Sequence, residues 1–348
     1  MKLPIWSIAE TNGVIMGNLY DKSFVSGLKA GVESLLPGWG LGPNTQVSLL
    51  TVSENATFRA DDPDKEMPVI LRVHRPAYHS EAEIRSELAW ISDLRQQQIV
   101  RTPAIIPHYG SEIIAKFEDS GNVRHVVGFE FLPGQEPDPK TNLEDGFRVL
   151  GAISARLHAH ARSWRPTNGF ARKTWDFEAA FGPSPLWGDW REALGLSEAG
   201  SLVLEDLCES LKNRLEAYGS GPDRFGLVHA DLRLANLLVD GDALGVIDFD
   251  DCGFSWFVYD FAAAISFLET SPTIPALQNA WVEGYRSVAP LAAEHVEMIP
   301  TFIMFRRLLL TAWIASHSET ETAEWAGLDA YTDGTVAMAE AYLAGQPI

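Results

Sequence analysis

Between Leu227 and Asp251 the chain reads LVHADLRLANLLVDGDALGVIDFDD, and no other stretch restricts its fold as much. Two apolar, strand-like runs occur, Leu237 to Val239 and Ala243 to Phe249. Around them stand His229, Asp231, Asn236 and Asp248, with Asn236 directly before the first run and Asp248 near the end of the second. The pattern is one of short strands and loops that present polar groups at strand ends. Order and spacing suit phosphoryl transfer from a nucleotide. One carboxylate can take the proton of an attacking hydroxyl, while an amide and a second carboxylate hold magnesium on the phosphates. A turn with Asx hydrogen bonds would use the same residue types. Four polar positions at matching offsets, with an apolar strand leading into IDFDD, favour the chemical reading.

The scaffold around that stretch is large. With 348 residues, 46% of them hydrophobic, the chain can bury a sizeable core and is long enough for two domains or lobes. A helix over 22–36 stops before Pro37-Gly38. TQVSLLTV, ATFRA and PVILRVHR then read as short strands separated by turn-rich segments. Ser80 is the expected N-cap of a helix over 81–98, with Glu81 and Glu83 near its positive end. Strands are expected at 112–118 and 123–132, after which FLPGQEPDP breaks the pattern with three prolines. Beyond it the spacing is mostly helical, at 145–164, 201–218, 259–269, 276–287, 298–316 and 321–343. The fold class expected is therefore α+β, with a small β-rich N-lobe (1–132) and a larger, mainly helical C-lobe (133–348).

Composition excludes several functions. Lys plus Arg is 27 and Asp plus Glu is 47, a net charge of −20. That field disfavours nucleic acid or an anionic membrane as partner. The two cysteines, Cys208 and Cys252, give neither a disulfide framework nor zinc-ligand spacing. The opening MKLPIWSIAETNG lacks a basic region followed by an apolar one, and no apolar stretch is expected to reach the roughly 18–20 residues of a membrane span. The expectation is a soluble cytoplasmic chain, monomer or homodimer, acting on a small molecule.

Asp231 precedes Asn236 by five positions and Asp248 follows twelve later, which is the protein-kinase catalytic-loop arrangement with two departures. Ala230 stands where Arg would be, and Asp250 where the glycine of DFG would be. The wording resembles instead the aminoglycoside phosphotransferase superfamily, close to HGD(x)4N followed by a strand ending in ID. That group includes choline kinases, type II homoserine kinases, hydroxylysine kinase and the bacterial stress-response kinase. The resemblance runs from about residue 46 to about 316 and implies a bilobal protein-kinase-like fold that uses ATP and Mg2+. By that resemblance Asp231 is the catalytic carboxylate, Asn236 and Asp248 bind magnesium, and Asp250 assists with metal or acceptor. His229 braces the loop through hydrogen bonds.

On the nucleotide side, PVILRVHRP offers Arg72 where relatives carry a phosphate-binding Lys, and Arg can take phosphate oxygens two at a time. Its acidic partner should come from the next helix. Glu87, one turn from Ile84 and Ile91, is the choice, with Glu83 in competition. VSENAT, between the first two strands, resembles the phosphate-covering loop of homoserine-kinase-like members, with Ser53 and Asn55 as donors; an ordinary hairpin turn is the alternative. Backbone groups near Glu130, Phe131 and Leu132 are implied to pair with the adenine.

Other residues have competing readings. His158 and His160 point to different faces of one helix, which favours a structural role for His158 over metal binding. Asp260, in an otherwise apolar helix, needs buried partners and is expected to hold the catalytic-loop backbone. Arg306 and Arg307 sit inside an apolar helix, where one can face an acidic acceptor or both can pair with acids on neighbouring helices. Trp256, Trp313 and Trp187 can stack on a cationic acceptor or simply fill the core. The reading is an ATP-dependent phosphotransferase acting on a hydroxyl of an aminoglycoside, amino alcohol or hydroxy amino acid. A Ser/Thr protein kinase of the stress-response type and a nucleotide-binding pseudokinase are the alternatives.

Overall fold

Alternation in the segment Ala56–Asp61 turns Ala56, Phe58 and Ala60 inward and leaves Thr57, Arg59 and Asp61 half-buried, as a period of two requires. In the computed structural model, which describes residues 22–52, 55–166, 168–318 and 320–346, this segment lies in an antiparallel sheet. The strands are β1 (Gln46–Val52), β2 (Ala56–Asp61), β3 (Val69–Val73), β4 (Ile105–Ile106), β5 (Ala115–Asp119) and β6 (Asn122–Glu130). Their order is β1-β2-β3-β6-β4, and β5 also pairs with β6. The sheet belongs to the first of two compact units, Met1–Gln135 with Pro166–Ala171; the second is Glu136–Arg165 with Arg172–Ile348.

Among the described residues two α-helices join this sheet in the first unit, α1 (Lys22–Leu35) and α2 (Glu81–Gln96). From α1, Leu28 and Val32 enter the apolar cluster formed by Phe58, Leu71 and Val126 of the sheet. Close approach requires Gly31, where a β-carbon would stand 2.2 Å from the Phe117 ring. Helix α2 starts at the expected cap. Ser80 Oγ accepts from Glu83 N at 3.3 Å, and Glu83 Oε2 accepts from Ser80 N at 2.8 Å, a reciprocal capping box.

In the second unit the helices are α3 (Glu144–Ser163), α4 (Phe177–Phe181), α5 (Glu198–Tyr218), α6 (Tyr259–Ala264), α7 (Ile274–Arg286), α8 (Ala293–Glu297), α9 (Ile299–Ser316), α10 (Glu321–Ala326) and α11 (Asp329–Leu343). The helix expected over 259–269 ends early, and Phe267 has a left-handed φ of 68°. The one expected over 321–343 is broken at Gly327 and Leu328, with φ of 92° and 41°. Between α5 and α6 lie two antiparallel pairs, β7 (Phe225–Val228) with β10 (Gly253–Trp256) and β8 (Leu237–Asp240) with β9 (Ala243–Val246). Ala293–Ser316 is long and apolar enough to cross a membrane by length and composition, which no stretch was expected to be, yet 89% of its apolar 18-residue window is buried inside the fold, so α9 is a core helix.

Helices α3 and α7 cross closely in this unit. A β-carbon on Gly151 would stand 2.0 Å from Trp281 O, and one on Gly284 would stand 1.8 Å from Arg148 O. Only glycine lets the two backbones meet at both points. That contact sets Tyr285 of α7 against His158 of α3, where the loop carrying Asp231 gains its outermost support.

Candidate active site

The loop after β7 begins with backbone strain. Ala230 has φ 67°, a conformation costing an L-residue roughly 1–2 kcal/mol. It is held from two sides. Ala230 N donates to Asp260 Oδ1 at 2.8 Å, and Ala230 O accepts from Arg306 Nη1 at 3.3 Å. Asp260, wholly buried at the start of α6, also accepts from His229 N at 3.4 Å and pairs through Oδ2 with His158 Nε2 at 2.9 Å. Because a carboxylate only accepts, Nε2 of His158 carries the proton, and Nδ1 accepts from the Tyr285 hydroxyl at 3.2 Å. Burial keeps His158 below its ordinary pKa, although Asp260 works the other way. Asp260 therefore takes the backbone-holding position expected of it, and His158 supports it.

His229 ties the loop of Asp231 to the segment that leads into Asp248. Its Nδ1 accepts from Asp231 N at 3.3 Å, and its Nε2 donates to Ile247 O at 3.2 Å, one residue before Asp248. Burial lowers the pKa of this ring as well, so it is a neutral brace.

Three groups hold the Asp231 carboxylate. Arg306 Nη2 donates to Oδ1 at 2.6 Å, while Asn236 Nδ2 at 2.7 Å and Arg233 Nε at 3.2 Å both donate to Oδ2. Asn236 Nδ2 also bonds Asp231 O at 2.9 Å. Burial pushes this carboxyl up, but Arg233, Arg306 and His229 together with the Arg233 hydrogen bond hold it below the usual carboxylate range. It is ionised at neutral pH and fixed in orientation.

With its nitrogen committed to Asp231, Asn236 has its amide oxygen left as the atom type that suits a hard cation. Asp248 is exposed and has φ 61°, so β9 ends two residues short of it instead of running on to Phe249. Asp250, buried, follows on the same loop. Amide and carboxylate oxygens form the donor set magnesium prefers, and the residues present fit it. The backbone of this loop is clasped from 172–175. Arg172 donates to Asp250 O and, at 2.6 Å, to Cys252 O, and Trp175 Nε1 donates to Asp251 O at 2.8 Å.

In the first unit Arg72 Nη2 donates to both carboxylate oxygens of Glu87, at 2.8 and 2.6 Å, and both residues are buried. Glu83 is used by the helix cap, which settles the competition for Arg72 in favour of Glu87. Asn55 Oδ1 accepts from Arg75 N at 3.1 Å; Ser53 lies outside the described residues. Glu130 N donates to Ala104 O at 2.8 Å, so that donor does not serve a base edge. Phe131 lies under the Arg59 guanidinium at 5.1 Å, and Leu132 is half-buried just beyond it.

The residues expected at the acceptor separate. Arg306 reaches Asp231. Arg307 faces elsewhere, donating to Glu269 Oε2 at 2.8 Å, Tyr331 O at 2.9 Å and Thr335 Oγ1 at 2.8 Å. Trp256 donates to Gly219 O at 2.7 Å and packs on Phe225 and Phe302, and Trp313 stacks on His317. Both tryptophans are buried. Sequence reasoning passed over Arg233, two residues beyond Asp231, although its place in the motif was a usable signal. It also passed over Arg172, which lies in a segment with no periodic pattern.

Residues 48–292, well over half of the chain, match the model of the phosphotransferase enzyme family. A solved microcompartment-associated aminopropanol kinase is 43% identical with a TM-score of 0.83, over 90% of this chain and 97% of that one. The amicoumacin kinase of Bacillus subtilis (strain 168) is 25% identical over 278 residues, 76% of this chain and 78% of that protein. A solved amicoumacin kinase in complex with AMP-PNP, Ca2+ and Ami is 22% identical with a TM-score of 0.71, over 91% of this chain and 94% of that one, a likeness of fold. The fold is the α+β, protein-kinase-like one. The chain belongs to the phosphotransferase enzyme family and is a small-molecule kinase of that family.

Proposed function

We propose that this kinase transfers the γ-phosphate of ATP, with Mg2+, to the hydroxyl of a small amino alcohol. The likeness to the aminopropanol kinase carries the acceptor class, because it is 43% identical over nearly the full length of both chains. The amicoumacin kinase bound to AMP-PNP and Ca2+ supports a nucleoside triphosphate with a divalent cation. Within this chain, Asp231 receives and orients the acceptor hydroxyl, and Asn236, Asp248 and Asp250 hold the metal. The metal, when bound, neutralises charge on the phosphates. Arg72, kept in place by Glu87, contributes a cation to phosphate binding, with Ser53 and Asn55 as further donors. Backbone groups of Phe131 and Leu132 serve the base edge. The chemistry is one of positioning and electrostatics.

The test is ADP release over a panel of aminopropanol, ethanolamine, choline, homoserine and aminoglycosides, with and without EDTA. Amino alcohols should turn over best, and EDTA should abolish turnover until Mg2+ is restored. Asp231→Asn should lower kcat by roughly 10²–10⁴-fold in a folded protein. Turnover of homoserine or an aminoglycoside with no amino-alcohol activity would overturn the acceptor class. Full activity of Asp231→Asn would overturn the assignment of the site.

A further inference from the structure

We propose that Arg306 is a positioning residue of the transfer reaction, which locks the Asp231 carboxylate so that its one remaining acceptor site, on Oδ1, meets the incoming hydroxyl. The inference rests on the reading of Asp231 as the group that receives that hydroxyl.

Arg306 lies in the middle of α9, among Phe305, Leu308, Leu309 and Leu310, and is 2% exposed. A guanidinium in such a place is costly unless it is well supplied with hydrogen-bond acceptors. Here four of its five N–H groups meet one: Asp231 Oδ1 at 2.6 Å, the Tyr259 hydroxyl at 2.9 Å, Ser266 Oγ at 3.1 Å and Ala230 O at 3.3 Å. The Trp187 ring lies 5.1 Å from its guanidinium carbon. Its neighbour Arg307 is an internal comparison. Equally buried, it spends its bonds on Glu269, Tyr331 and Thr335 and joins α9 to α11. Arg306 spends two of its four on the catalytic loop, one on the strained Ala230 peptide and one on the carboxylate itself. A planar fork can hold both at once; a single ammonium cannot match that geometry.

The carboxylate has about four lone-pair sites. Among the described residues Asn236 and Arg233 take both on Oδ2, and Arg306 takes one on Oδ1. The site left is the second on Oδ1. A hydroxyl that donates there has its oxygen lone pairs directed away from Asp231, toward an electrophile. In the transfer the acceptor oxygen forms a bond to the γ-phosphorus. The bond from that phosphorus to the β–γ bridging oxygen breaks, and its electron pair leaves with ADP. The hydroxyl proton passes to Oδ1 and then to solvent.

Arg306→Ala, Arg306→Lys and Tyr259→Phe test this, with kcat and both KM values measured per folded enzyme and folding followed by calorimetry. Arg306→Ala should lower kcat by about 10²-fold, the scale of a 1 Å misplacement, with both KM values within about threefold of wild type. Arg306→Lys should be intermediate and Tyr259→Phe down a few-fold, since it frees the guanidinium without touching Asp231. Added guanidinium ion should restore part of the Arg306→Ala activity and none of the Asp231→Asn activity. Wild-type kcat in Arg306→Lys and Tyr259→Phe would overturn the proposal, even if Arg306→Ala fails to fold. A raised acceptor KM at unchanged kcat would overturn it too, making Arg306 a substrate-binding residue. Full activity of Asp231→Asn would instead strike the reading on which the proposal rests.

Discussion

Asp260 is where a single substitution should do most harm for a residue with no expected contact to substrate. Its carboxylate receives Ala230 N at 2.8 Å and His158 Nε2 at 2.9 Å, with a longer bond from His229 N at 3.4 Å. Asp260→Ala removes the acceptor and leaves two well-formed donors orphaned where water does not reach. Each such donor costs about 1–3 kcal/mol, so the loss is about 4 kcal/mol, in the range found when one partner of a buried ionic network is removed. At roughly 2–4 °C per kcal/mol for a unit of this size, the melting temperature should fall by on the order of 10 °C. Asp260→Asn is milder by a definite route. Its Oδ1 can still accept from Ala230 N. Its amide nitrogen faces His158, whose ring can shift its proton to Nδ1 and accept at Nε2, with the Tyr285 oxygen taking the displaced hydrogen. That variant should cost about 1 kcal/mol, one net hydrogen bond. Activity should follow the backbone. Ala230 in its left-handed conformation relaxes once unanchored, Asp231 moves with it, and kcat in Asp260→Ala falls about 10²-fold. Calorimetry and steady-state kinetics on both variants decide the matter. If Asp260→Ala melts within 2 °C of wild type (~0.5–1 kcal/mol) and keeps half its kcat, the loop is not held from α6.

Two further outcomes follow from the same support. Gly284→Ala places a β-carbon 1.8 Å from Arg148 O, against backbone that cannot swing aside. It should cost at least the roughly 1–3 kcal/mol of an overpacked core, read as a lowered melting temperature; an unchanged one would show that α3 and α7 do not meet as described. The second outcome is a pH dependence. His158 and His229 are held by burial below their ordinary pKa of 6.5 and stay neutral in the folded chain as pH falls through that value. On unfolding both rings take up a proton below about 6.5. The unfolded state then binds more protons, so stability present above that pH is lost as pH drops below it. Denaturant midpoints measured from pH 7.5 to 5.5 should decline most below 6.5, and His158→Gln should flatten part of the decline. A midpoint that rises on acidification would contradict it.

What was legible in the sequence follows from how local each signal is. The strands of the first unit show in a period of two, and helix α2 in its cap, because both are decided by neighbours in the chain. Glu87 could be picked over Glu83 by helical face, yet the stronger reason was local too: Ser80 and Glu83 close a capping box and use that carboxylate up. The motif singled out Asp231 and Asn236, which the fold joins by a hydrogen bond, and an acid in an otherwise apolar helix pointed to Asp260. Long-range partnerships were not legible. Nothing near Arg306 or Arg307 tells which one reaches residue 231 and which reaches residue 269, since both are charges in one apolar run and differ only by the turn between adjacent helix positions. The break in the last helix had a local signal that the apolar spacing on either side overrode: Gly327, at φ 92°, caps α10, and Leu328 follows it at φ 41°.

On the proposal that Asp231 receives the acceptor hydroxyl, its surroundings bear on what kind of catalyst it is. A carboxylate meant to pull a proton early would gain from burial without cations, which raises its pKa toward neutrality. Here burial, the largest single influence, does raise it, but Arg233, Arg306 and His229 together with the Arg233 hydrogen bond bring it below the usual carboxylate range, so the group is a weak base. In a loose transition state the leaving group has largely departed before the new bond forms, and the acceptor hydroxyl has little need to lose its proton beforehand. A weak base held rigid suits that order of events. It costs the site little to give up basicity, and it gains a hydroxyl held on line by a carboxylate that cannot rotate. The left-handed alanine fits the same account. Relatives are expected to place glycine at that position, which would reach the conformation without strain. This chain keeps alanine there and fastens the peptide groups on both sides of it, by Asp260 at its nitrogen and Arg306 at its oxygen. Rigidity that glycine would not supply by itself comes from those two buried charges, and the same arginine then fixes the carboxylate one residue further on.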